Sequence, residues 1–127
     1  MIDLGNISLH DVTVTGIEVR STNDHFDYVS LSLEASEFKK EFGTNTVRLI
    51  FEDCYKAEFR LQMWISGKDS IRSHSIKDDS PWIKELQELE DKGVSLPKGS
   101  FKHFVLELNS SGSTIEVLAR NVKMEGN

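Results

Sequence analysis

The sequence predicts an α+β protein, mainly β, with about six antiparallel strands in hairpins, as an open sheet or small sandwich, and one helix at about residues 80–92. Three observations carry this. Between Tyr55 and Ile65 apolar and polar residues alternate one for one. Residues Asn109 to Ser113 place a run of turn-forming types between two further alternating segments. Only the stretch from Trp82 to Leu89 repeats its apolar residues every three to four positions.

In chain order, residues 9–19 read as the first strand. Val12 and Val14 are in phase, whereas Ile17 and Val19 slip by one across Gly16, and a one-residue slip flips every later side chain unless a bulge absorbs it. Val29, Leu31 and Leu33 make the next strand, and Glu37 to Glu41 a short turn limited by Gly43 and Thr44. Val47, Leu49 and Phe51 alternate, and Glu52-Asp53-Cys54 then connects them as a hairpin to residues 55–65. There Tyr55, Ala57, Phe59, Leu61 and Met63 form a row expected to face the core, and Lys56, Glu58, Arg60, Gln62 and Trp64 a row expected to face outward. Residues 66–79 show little pattern and read as a long loop. Ser80-Pro81 reads as a helix start, with a hydroxyl or Asp79 to cap it and a proline whose missing N–H costs nothing at the first position. Trp82, Ile83, Leu86 and Leu89 form its apolar stripe, Glu88 can pair with Lys92, and Gly93 stands where helices commonly end. Phe104, Leu106 and Leu108 lead through the 109–113 turn to Ile115, Val117 and Ala119 as a second hairpin, and the slip from Ala119 to Val122 and Met124 asks for a second bulge.

Composition bounds the rest. A chain of 127 residues suits a single domain over 1–127, enough to bury roughly two-thirds of its unfolded surface. With 38% hydrophobic and 28% charged residues it belongs with globular rather than disordered chains. No apolar run is long enough to span a bilayer, and Met1-Ile-Asp-Leu-Gly-Asn lacks the pattern of a signal peptide, so a cytoplasmic protein is expected. Cys54 is the one cysteine, which rules out an internal disulfide or a CxxC pair and agrees with a reducing compartment. The net charge of -6 repels a phosphate backbone, so no nucleic-acid partner is expected, while a basic protein partner is allowed.

Ser8, His10 and Asp11 invite comparison with a hydrolytic triad. On a strand, however, His10 and Asp11 would leave opposite faces, so Asp11 could not orient the ring, and both read as polar residues at a sheet edge. The four histidines have no HxH or HExxH spacing, Asp24-His25-Phe-Asp27 reads as a charged turn, and no metal or cofactor is expected. His103 reads as a surface residue ahead of a strand. Gly67-Lys68-Asp69-Ser70 lacks both the upstream glycine and the hydroxyl residue of a phosphate loop. Glu52 and Asp53 would raise the Cys54 thiol's pKa, which disfavours a nucleophile. Two interaction candidates remain: Trp64, a tryptophan on the polar row, and the helix's acidic outer face of Glu85, Glu88 and Asp91. The competing reading is a small-ligand protein or enzyme with a cleft between sheet and helix, using His10, Asp11 or the loop around His74.

Leu9-His10-Asp11-Val12 at the first strand, Leu49-Ile-Phe-Glu-Asp leading into Phe59-Arg-Leu, and the closing Val117-Leu-Ala-Arg-Asn-Val122 resemble a group of small β-rich bacterial proteins. These often begin with Leu-His-Asp-Ala, and some are classed as immunity proteins of polymorphic toxin systems. Here Val12 replaces the usual alanine, and the resemblance does not extend over residues 67–99. It implies a non-enzymatic cytoplasmic protein that binds and blocks a toxin domain. An exposed edge strand would also invite pairing into a homodimer.

Overall fold

Alternation forms a strand where one row finds a core to face. The computed structural model describes residues 8–21, 28–62, 69–95, 101–110 and 112–126. Eight strands lie among them, β1 (Thr13–Arg20), β2 (Tyr28–Glu34), β3 (Thr46–Glu52), β4 (Lys56–Arg60), β5 (Asp69–Lys77), β6 (Lys102–Leu108), β7 (Thr114–Ala119) and β8 (Asn121–Gly126), with two helices, α1 (Phe38–Phe42) and α2 (Pro81–Asp91). They make one open antiparallel sheet in the order β4-β7-β6-β5-β1-β2-β3-β8. The mainly β class agrees with the sequence, but the count of about six falls short.

The sheet doubles over. Strands β1, β2, β3 and β8 form one half and β4 to β7 the other, and β1 meets β5 at only two positions, Thr13↔Ser70 and Val14↔Asp69. Both halves turn apolar rows into one core, Leu31, Leu49 and Phe51 from the first, Phe104, Leu106 and Val117 from the second. Phe51 and Phe104 meet across it with ring centres 5.2 Å apart. Each such fully buried side chain contributes about 1.5–3 kcal/mol. Phe38 of α1 is buried in the same core, and Gly43 ends that helix at φ 72, a left-handed angle that suits glycine.

Three readings are corrected. First, β3 and β4 are not a hairpin. β3 pairs with β2 and β8, and β4 with β7, so the chain crosses from one half to the other at 53–55. The stretch joining β7 to β8 crosses back beside it at Arg120, whose N–H donates to the Glu52 carbonyl, while the Tyr55 N–H donates to that of Leu118. Glu52 faces Asn121 and Lys56 faces Leu118, so three residues oppose two at this corner. Strands that switch sheets commonly do so through such an extra residue. The slip between Ala119 and Val122 therefore marks a corner between two strands, whereas the slip at Gly16 is a bulge within β1, between Val14 and Gly16.

Second, the expected loop at 66–79 contains β5. Its pairing with β6 shifts between Ile71 and Ser73, which brings Ile71 and Ile76, five residues apart, into register opposite Leu108 and Phe104. Third, β1 begins at Thr13 rather than residue 9, and residues 10 and 11 form a turn with Asp11 at φ 66. The helix stands where expected: Ser80 caps α2, its hydroxyl accepting from the Ile83 N–H, Pro81 opens it and Gly93 follows it at φ 87.

Candidate functional site

α2 lies on the outer face of the second half. Ile83 and Leu86 pack on Leu118, flanked by Trp82 and Phe101. Beneath them is the histidine that sequence placed on the surface: His103 is 4% exposed. Its Nε2 lies 2.9 Å from a Glu116 carboxylate oxygen and its Nδ1 2.9 Å from the Ser80 hydroxyl. A carboxylate only accepts, so Nε2–H donates to Glu116, Nδ1 of the neutral ring accepts from Ser80, and Ser80 accepts in turn from Ile83. Trp82 stacks on the ring at 4.4 Å and 7°. Lys56 Nζ sits 4.8 Å over the indole and 3.3 Å from Glu85. Burial lowers the His103 pKa from its ordinary 6.5, aided by Lys77 and Lys56 and opposed by Glu116.

Serine, histidine and carboxylate in line have the order of a hydrolytic triad, but the surroundings suit anchoring. Ser80 is 4% exposed and already caps a helix. The residue after it is Pro81, which has no N–H to offer a developing oxyanion. The trio pins the first turn of α2 to β6 and β7. A sequence signal for it existed: Val117-Leu-Ala119 is an unbroken apolar run, as expected where a strand is covered on both faces.

The other candidates fall as follows. His10 and Asp11 do come together, at 3.4 Å, because they occupy a turn and not a strand. Both are largely exposed, and His10 Nδ1 is 3.0 Å from the Arg72 carbonyl, so Nε2 can donate to Asp11 only when the ring carries both protons. His74 is half-buried on β5 opposite Leu106. Of the acidic face, Glu85 is drawn to Lys56, and Glu88 and Asp91 are exposed. Trp64 and the 24–27 segment lie outside the described residues. Asp69 holds a turn, its carboxylate accepting from the Ser70 and Ser110 N–H groups and the Ser110 hydroxyl. Cys54 Sγ is 3.1 Å from the Phe51 carbonyl. Among the described residues no three His, Cys, Asp or Glu side chains gather as a metal site would need, and no helix is long and apolar enough to cross a membrane.

β4 is the strand whose facing departs most from the sequence pattern. The row Tyr55, Ala57, Phe59, Leu61 should face the core, yet only Phe59 packs against it; Tyr55 and Leu61 are 38% and 39% exposed, and Ala57 is exposed too. Among the described residues β4 is a terminal strand of the sheet. Beside it opens a cleft of ≈ 200 Å³, lined by Tyr55, Lys56 and Ala57 on one side and by Val19, Arg20 and Tyr28 on the other. Val19 there is 65% exposed. His10, Asp11 and His74 take no part in its lining.

No protein-family model matches the chain, and comparison with curated proteins and with solved structures finds no match.

Proposed function

We propose that this chain is a non-catalytic protein-binding module that meets its partner along β4 and the adjoining cleft. One observation carries the reading: an apolar row at a terminal strand, with Tyr55, Ala57 and Leu61 exposed and Val19 exposed across an open cleft. Contiguous exposed apolar surface marks interaction sites, and tyrosine and arginine, both of which line the cleft, are among the types that carry binding energy. Arg20 lines the cleft beside Val19 and Tyr55, so a mixed apolar and polar protein surface fits it better than a metabolite. A toxin domain, the partner implied by the resemblance to immunity proteins, is of this kind. The burial of Ser80 and its commitment to capping α2 support a binding role over a catalytic one.

Photo-crosslinking decides it. A benzophenone amino acid placed at Tyr55 is expected to give protein adducts in extracts of the source cells, and the same group at Glu88 few. Adducts confined to Glu88 would transfer the contact to the acidic helix face; their absence at both positions would remove the binding reading.

A further inference from the structure

We infer that the partner seated on β4 is a second copy of this chain, paired edge to edge and antiparallel about a two-fold axis at Ala57; the inference rests on reading β4 as the contact surface. An antiparallel two-fold pair keeps each row of side chains on its own face and sets residues directly opposite one another, about 4.5–5.5 Å apart at Cβ. With the axis at Ala57, Lys56 of each copy faces Glu58 of the other on the outer row. On the inner row, Tyr55 of each faces Phe59 of the other. The outer row thus gains two opposite-charge pairs, with Glu58 also 2.9 Å from Arg60 of its own chain, and the inner row two aromatic pairs between exposed Tyr55 and half-buried Phe59.

Neighbouring registers do worse. An axis at Glu58 sets that carboxylate against itself and Lys56 against Arg60, all like charges. An axis at Phe59 pairs Glu58 with Arg60 but carries the joined stretch away from Tyr55 and Lys56, where the cleft lies open. The sheet's other terminal strand, β8, offers less. An axis at Met124 there would also set Lys123 against Glu125, but Val122 on its inner row is 1% exposed and faces Gly126, so no aromatic pair forms. In the pair, Lys56 stands between Glu85 of its own chain, at 3.3 Å, and Glu58 of the second copy.

Light scattering over a concentration series tests this. The wild-type chain is expected to move from 14.4 kDa to twice that mass as concentration rises. Lys56→Glu and Glu58→Lys, each of which turns both cross-pairs repulsive, should each weaken the dimer about tenfold or more. The double swap Lys56→Glu/Glu58→Lys should restore it, and Glu58→Lys/Arg60→Glu should not. Glu58→Lys leaves the Lys56 contacts to α2 in place, so its result stands even where Lys56→Glu disturbs the helix. A wild-type chain that stays monomeric, a dimer indifferent to both single swaps, or rescue by the second pair alone overturns the inference. A monomer that still crosslinks to another protein through position 55 keeps β4 as a contact surface and removes only the second copy; a monomer without adducts removes both.

Discussion

His103 shows how one residue's neighbours set its chemistry. Buried under Trp82, it is held neutral because burial outweighs the attraction of Glu116. Its folded pKa lies below the unfolded 6.5, so the unfolded chain takes up the proton first as pH falls. Stability from this group is full above the unfolded pKa and drops between it and the folded pKa. Urea unfolding from about pH 8 to about pH 5 should show the wild type losing up to ~1.4 kcal/mol per pH unit more than His103→Gln within that window; equal slopes would contradict the assignment. Little of this was legible from sequence, since a polar flank before a strand reads as surface and nothing local announces a helix folding over it. His10 and Asp11 misled in the opposite direction. Placing them on a strand separated them, whereas the left-handed angle at Asp11 makes a turn that brings them together in solvent.

At the scale of elements, α2 was readable because its proline, capping serine and apolar stripe agree with one another. β5 was not, because its bulge moves Ile71 and Ile76 out of a simple two-residue rhythm and only the polar residues Arg72, Ser73, His74 and Ser75 lie between them. The corner at 53–55 was half legible: the slip after Ala119 was visible, but its cause lay in the facing strand. Asp53, at φ 54 and with its side chain 10% exposed, is matched there by Arg120 at 2.9 Å. Arg120→Met strands that carboxylate and should cost about 1–3 kcal/mol in urea unfolding. Adding Asp53→Asn, which removes the charge and tolerates the left-handed angle, should return part of the loss; a double variant no better than the single would show that the corner does not depend on this pair.

Across the whole molecule, alternation predicted strands but not which half each would join. Lys56–Arg60 has the rhythm of a core strand, yet at the end of the sheet only Phe59 of its apolar row reaches the core, while Tyr55, Ala57 and Leu61 are left exposed. Pattern fixes which row is apolar; topology decides whether anything covers it. That uncovered row is the basis for reading the chain as a binding module, with the corner and α2 supplying a preformed surface that need not reorganise on contact. Amide hydrogen exchange measures this most directly, compared between the free chain and the complex captured through position 55. Slowed exchange is expected along Lys56–Arg60 and at Val19 and Arg20, with Glu88–Asp91 unchanged; protection confined to α2, with β4 unaltered, would contradict a contact at β4.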